Sequence, residues 1–154
     1  MKDMEKHYTS SVVILSDSKP VKTLLVHHRK YNNWIPPGGH QHETENPLET
    51  AVRETREETG IDISEAIGQP ERLDATAALI PQPRYFLEEG PIPAFGDQPE
   101  HFHLDHVYVV RVPHQDPVHD ENESHDIGWF TLEETEKLAM FDNVHLILRK
   151  EMAS

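Results

Sequence analysis

The chain has no cysteine among its 154 residues, which excludes disulfides, thiolate metal sites and a cysteine nucleophile together. Positive charge is scarce too: 14 Lys and Arg stand against 28 Asp and Glu, a formal net charge of −14. A surface of that sign repels phosphate backbones and anionic lipid, so neither duplex nucleic acid nor a membrane is an expected partner. An anionic small molecule would need local compensation, and divalent cations are the natural source. No apolar run approaches transmembrane length. The opening Met1-Lys2-Asp3-Met4-Glu5-Lys6-His7 is polar, with no apolar signal core behind it, so the cytoplasm is the expected location. What is present, 36% apolar and 27% charged residues, is the balance of a single folded domain, expected over 1–154.

Ser10–Leu15 and Val21–His28 read as two strands joined by a turn at Ser16-Asp17-Ser18-Lys19-Pro20. Trp34-Ile35-Pro36-Pro37-Gly38-Gly39 reads as a loop, since its prolines and glycines oppose regular structure. Asn46-Pro47 is a helix start, with Asn as N-cap and Pro at the first helical position. Leu48, Ala51, Val52 and Thr55 then form an i, i+3, i+4, i+7 stripe, and Gly60 sits where a left-handed residue would end the helix, giving a helix over 47–59. Arg72–Ile80 is a strand candidate. Residues 81–100 hold five prolines and two glycines and read as a long loop, either a substrate lid or a disordered insertion. His103–Val112 is the strongest strand pattern and Ile127–Phe130 a short final one. Thr131 to Glu134 spells a capping box opening a C-terminal helix, and a further helical piece is expected over 142–151.

The helix 47–59 carries the chemistry. Glu54, Glu57 and Glu58 are spaced i, i+3, i+4 and project from one face, beside the apolar stripe. Like charges at that spacing repel, and a hard divalent cation with oxygen ligands is the natural neutraliser. A solvated acidic face is the commoner outcome for such a helix standing alone. This one does not stand alone: Arg53 lies four residues from both Glu49 and Glu57, and the Pro-Pro-Gly-Gly loop feeds its start.

Residues 39–61 match the Nudix box, Gly-x5-Glu-x7-Arg-Glu-U-x-Glu-Glu-x-Gly-U with U a bulky aliphatic, at Gly39, Glu45, Arg53, Glu54, Glu57, Glu58, Gly60 and Ile61. Only the first U departs, as Thr55, which is β-branched and close to Val in shape. The chain therefore resembles the Nudix (MutT-like) hydrolases. Its flanks fit as well: His27-His28-Arg29, Trp34 and Pro-Pro-Gly-Gly-His lead into the box, and Gly128-Trp129-Phe130 looks like the family's late segment. The resemblance implies an α/β/α sandwich around a mixed sheet, with the box as loop–helix–loop over 38–61. It also implies hydrolysis of a diphosphate linkage in a nucleoside diphosphate derivative or triphosphate, by water attack on phosphorus. Glu54, Glu57, Glu58 and Gly38 would hold Mg²⁺, or Mn²⁺ in its place. Arg53 and Glu45 would form supporting ion pairs, with Gly39 and Gly60 shaping the loop and the helix end. The general base stays open between Glu57 and a later loop glutamate, Glu123, with Glu121 close behind; an acidic surface loop is the plainer reading of the latter two. Arg29, Arg84, Tyr85 and His103 are candidate substrate contacts. Many relatives pair, so a homodimer is also in view.

One further motif competes. His101-Phe102-His103-Leu104-Asp105-His106 reads H-x-H-x-D-H, similar to the dinuclear zinc motif of metallo-β-lactamase-like hydrolases. Against it, the motif runs straight into the strand 107–112, where 101, 103 and 105 share one face and His106 takes the other. The chain is also short for that fold. An edge of a substrate pocket, or polar residues at a strand end, are the remaining readings. A Nudix-fold isomerase needs a cysteine this chain lacks. A non-catalytic nucleotide-binding module has no physical reason to retain three crowded carboxylates. The pattern does not separate ADP-ribose, sugar nucleotides, dinucleoside polyphosphates or modified triphosphates as substrate.

Overall fold

The computed structural model describes residues 3–153. Met1, Lys2 and Ser154, which belong to the polar lead-in and to the expected domain span, lie outside the described residues. Strand β1 (Lys6–Ser16) is followed by β2 (Lys22–His28), β3 (Trp34–Ile35) and β4 (Gly38–His40). Helices α1 (Pro47–Thr59) and α2 (Ser64–Ile67) come next. Then follow β5 (Glu71–Arg72), β6 (Ala78–Leu79), β7 (Tyr85–Ile92), β8 (His101–Val112) and β9 (Ser124–Thr131). Helices α3 (Leu132–Thr135) and α4 (Asp142–Met152) close the order.

Seven strands form one mixed sheet with the path β3-β2-β1-β8-β7, β4 adding to β1 and β9 to β2. The β1–β8 pair is parallel, running from Lys6↔Phe102 to Ser16↔Val112, while the other pairs are antiparallel. Helices cover both faces. On one, Val12, Ile14, Leu24, Tyr108 and Val110 meet Leu48 and Ala51 of α1 and Ile61, Ile63 and Ile67 around α2. On the other, Val13, Leu15, Leu25 and Val107 meet Leu148 and Met152 of α4. Because β1 is covered on both sides, Val12 to Leu15 is a continuous buried run rather than an alternating one. Each such side chain contributes roughly 1.5–3 kcal/mol of transfer free energy. The α/β/α sandwich expected from the family resemblance is the architecture found. No helix of the described residues is long and apolar enough to cross a membrane.

Three local expectations are corrected. The loop over 34–39 contains two short strands, β3 and β4, with only the prolines between them. Glycine permits β4: a Cβ on Gly38 would stand 2.3 Å from the Ser10 carbonyl oxygen, so only a bare backbone can pair this closely with β1. The strand expected over 72–80 is instead a hairpin of two-residue strands. Asp74 breaks it, its carboxylate accepting the N–H groups of Thr76 and Ala77 at 2.8 Å each, as a turn residue does. The long loop over 81–100 contains the eight-residue strand β7: Tyr85 and Leu87 turn inward in alternation and pack beside Val107. Pro91 falls where that pairing shifts register, between Glu89 and Ile92.

Candidate active site

Helix α1 begins as its sequence requires. The Asn46 side chain accepts the Glu49 N–H at 2.9 Å, and the Glu49 carboxylate accepts the Asn46 N–H at 3.0 Å, which satisfies two otherwise orphaned donors. Gly60 ends the helix in the left-handed region at φ 73° and donates its N–H to the Arg56 carbonyl. Between these caps Leu48, Ala51 and Thr55 are buried. That orientation fixes where the three glutamates point.

They are not equivalent. Glu58 is 3% exposed, and its Oε2 accepts the Gly38 N–H at 2.7 Å. Glu54 is mostly buried under Gly39, where a Cβ would stand 2.5 Å from the Glu54 carboxyl carbon. Glu57 is 55% exposed and faces solvent. Gly38 and Gly39 thus set the site in two ways, one donating to a carboxylate and the other making room for one. Gly38, an expected metal ligand, meets the cluster through its N–H.

One cation serves this group. Arg53 Nε and Nη2 hold both oxygens of Glu45 at 2.6 and 2.9 Å, Nη1 reaches Glu54 at 2.8 Å and Glu57 at 3.2 Å, and Nη2 also donates to the His40 carbonyl at 3.0 Å. Glu45, fixed further by the His42 N–H and the Thr50 hydroxyl at 3.0 Å each, is held down to about 2, chiefly by its hydrogen bonds from Arg53. Arg53 is correspondingly locked in its charged form. Glu54 moves the other way. Burial pushes it up to about 7, with Glu57 and Glu123 adding to the push and Arg53 opposing it. Burial pushes Glu58 well above the usual carboxylate range, reinforced by Glu54, Glu123 and Glu57 and opposed by the Gly38 N–H. The site therefore holds more carboxylate than its own cations neutralise, which is the condition for taking up a hard divalent ion with oxygen ligands.

The fold brings Glu123 to this cluster although it lies far along the chain; its charge bears on both Glu54 and Glu58. Arg29, expected at substrate, instead donates from Nε and Nη2 to the Glu121 carbonyl at 3.0 and 2.6 Å, tying down the loop that carries Glu123. Arg84 and Tyr85 are not brought to the carboxylates. Both face Glu151 near the end of α4, Arg84 at 3.7 Å and Tyr85 through its hydroxyl. The dinuclear zinc reading is corrected. His101, His103 and Asp105 share one face of β8, whereas His106 turns away, donates from Nδ1 to the Thr9 carbonyl at 3.0 Å, and lies against Phe86. Because a carbonyl only accepts, that Nδ1 is the donor.

Two groups escaped the sequence reading. Buried Asp105 accepts from the Thr9 and Ser11 hydroxyls at 2.9 and 2.7 Å and lies against Glu89. Burial and the neighbouring Asp105 raise Glu89, and burial raises Asp105 as well, opposed by its two hydroxyl donors. His7 and His40 join His101 and His103 in a cluster that no local spacing announces.

The family model of the NUDIX domain matches residues 5–149. A stretch of 34 residues is 62% identical to the asymmetrical bis(5'-nucleosyl)-tetraphosphatase of Mus musculus; it covers 22% of this chain and spans only about a quarter of that relative, 23%. Among solved structures, a NUDIX-family hydrolase from Clostridium perfringens shares the fold with TM-score 0.72, at 22% identity over 95% of both chains. An Ap4A hydrolase from C. elegans does so with TM-score 0.64, at 20% identity over 96% of both. A match that begins just before the first strand and runs into the last helix, on a fold shared at nearly full length, makes this chain a member of the NUDIX family.

Proposed function

We propose that the protein is a metal-dependent hydrolase that cleaves a diphosphate linkage in a nucleotide by water attack on phosphorus. The observation that carries the reading is the unbalanced cluster: Glu54 and Glu57 on one arginine, with Glu58 and the charge of Glu123 bearing on the same group, and Glu54 and Glu58 both pushed upward. Glu54, Glu57 and Glu58 would hold Mg²⁺, or Mn²⁺, with the Gly38 segment closing the site. When bound, the metal supplies charge neutralisation on the diphosphate and acidity to the attacking water. Arg53 stays charged throughout and keeps Glu54 and Glu57 in place while Glu45 anchors its other end. Glu123 takes the proton from water: it is exposed on a loop facing the cluster and is not committed to Arg53, as Glu57 is. The likeness to a bis(5'-nucleosyl)-tetraphosphatase and to an Ap4A hydrolase makes dinucleoside polyphosphates the first compounds to test.

The test is a panel of dinucleoside polyphosphates, nucleoside diphosphate derivatives and triphosphates, each with Mg²⁺, Mn²⁺ or EDTA. Metal-dependent release of a mononucleotide product, lost in EDTA and in Glu57→Gln, is the expected result. Tight binding of a nucleotide with no turnover under any metal would overturn it in favour of a binding module.

A further inference from the structure

On the sheet face away from α1, four imidazoles meet. His7 comes from β1, His40 from β4, and His101 and His103 from β8; in the register His7 lies opposite His103, and His40 opposite Thr9. The His103 Nε2 stands 3.0 Å from the His101 Nε2 and 3.2 Å from the His40 Nε2. One ring nitrogen from each of His7, His40 and His101 lies within 4.8 Å of the other two. The His7 and His101 rings stack with centroids 4.5 Å apart.

The hydrogen-bond arithmetic is unfavourable for these rings alone. His101 is fully buried, and its Nδ1 donates to the Pro99 carbonyl at 2.8 Å, so in its neutral form Nε2 is a bare lone pair. That lone pair meets the His103 Nε2, which also faces the His40 Nε2, and one imidazole N–H cannot serve two acceptors well. Three ring nitrogens thus converge with at most one shared proton among them if the rings are to stay neutral. A cation at their centre satisfies all of them at once.

We propose that His7, His40, His101 and His103 bind one late first-row divalent ion of the Zn²⁺ class, separately from the carboxylate site. Nitrogen donors select Zn²⁺, Co²⁺, Ni²⁺ or Cu²⁺ over Mg²⁺. At Zn–N lengths of about 2.0–2.1 Å a tetrahedron has edges of about 3.3 Å, close to the 3.0 and 3.2 Å separations found. The outer contacts have the form that metal-bound histidines use, with the second ring nitrogen given to a carbonyl or carboxylate. His101 gives Nδ1 to Pro99, and the His7 Nε2 lies 2.8 Å from Glu5, which leaves its Nδ1 to bind. Entry is open: a hollow of about 330 Å³ lined by His7, Tyr8, His40, Gln41, His42 and Glu43 leads from solvent to the rings. Lys30 bears on both His40 and His103, and Glu5 beside His7 and the acidic Glu89–Asp105 pair on the same face supply opposite charge. The site is contiguous with the box, because the His40 carbonyl also accepts from Arg53.

The test titrates the untagged full-length chain with Co²⁺ while excess Mg²⁺ occupies the carboxylates. One equivalent should bind with the visible absorption of a four-coordinate nitrogen site, and Zn²⁺ should displace it. Glu57→Gln should retain that signal. His40→Ala and His103→Ala, at partly exposed positions, should each weaken binding by about a hundredfold or more, beyond what loss of an outer contact costs. If a variant misfolds, histidine footprinting of the wild-type chain decides: Zn²⁺ should protect His7, His40 and His103, whose rings reach solvent, and leave His114 reactive. Absence of saturable Co²⁺ binding in excess Mg²⁺, binding that vanishes in Glu57→Gln but survives both histidine variants, or no protection of His7, His40 and His103 would each refute the site. None of these outcomes bears on hydrolysis, so the two readings fail independently.

Discussion

The carboxylate cluster on α1 and the imidazole cluster on β1, β4 and β8 lie on either side of the Gly39-His40 step, and they are made in opposite ways. The first takes its three glutamates from five consecutive positions of one helix, with an arginine next to them in sequence. The second takes each side from a different stretch of chain and depends on the parallel β1–β8 register for its existence. Oxygen donors crowded around too little positive charge suit a hard ion that exchanges with substrate; neutral nitrogens held by outer hydrogen bonds suit a softer ion that stays. A helix face can be charged at will because one side of it remains solvated. A sheet face must be assembled by pairing, and its polar residues then need partners.

The largest effect that would break this contrast is on activity. Glu57→Gln should reduce the metal-supported hydrolysis rate by about 10³-fold, the upper end for loss of one charge-stabilising group, as read from initial rates at saturating Mg²⁺. An unaffected rate would remove the helix from the chemistry. Next, Arg53→Lys should destabilise the fold by about 3 kcal/mol, because an ammonium cannot span Glu45, Glu54, Glu57 and the His40 carbonyl together, and breaking a largely buried pair is costly; denaturant midpoints measure it. Gly39→Ala should cost about 1–3 kcal/mol and lower Mg²⁺ affinity, since the new methyl overlaps the Glu54 carboxyl. A Gly39→Ala protein with unchanged Mg²⁺ titration would show that Glu54 is not positioned by that gap.

Acid and alkali should separate the two ends of the arginine brace in metal-free protein. Glu45 is held at about 2, below its ordinary 4.5, so its contribution is fully present above about 4.5 and is lost as pH falls through about 2. Glu54 is raised to about 7, so the fold favours its protonated form; that contribution is present below about 4.5 and is lost as pH rises through about 7. Stability should therefore decline on both sides, and Mg²⁺ should restore the alkaline side alone; thermal melts across pH with and without Mg²⁺ test this, and an alkaline decline that ignores Mg²⁺ would count against the carboxylates as its ligands. The smallest effect is Asn46→Ala, about 1 kcal/mol from a lost N-cap, with the Co²⁺ site at the histidines untouched.

Helix α1 is legible in the sequence because every signal for it is local: Asn46-Pro47 at the start, the stripe through Leu48 and Ala51, Gly60 at the end. The box spacing belongs to the same helix, so the candidate carboxylates were legible with it. Strand β7 was not, since its short Tyr85–Leu87 alternation sits among prolines whose local message is a loop. The placement of Arg84 and Tyr85 beside Glu151 was not legible either, because Glu151 is at the far end of the chain. Glu123 was legible only as one of several acidic loop residues, and only the loop's return over α1, tied by Arg29, singles it out.

By itself the sequence determined the family, the helix that bears the acids, the caps that orient it and the absence of any thiol chemistry, all of which depend on residues a few positions apart. The tertiary structure alone decided that Glu54 and Glu58 are buried while Glu57 is open, that Glu89 lies against buried Asp105, and that His7 and His40 meet His101 and His103. Burial and convergence are properties of the whole sheet and its covering helices. They change the dielectric around a side chain and choose its neighbours, and neither quantity is carried by local spacing.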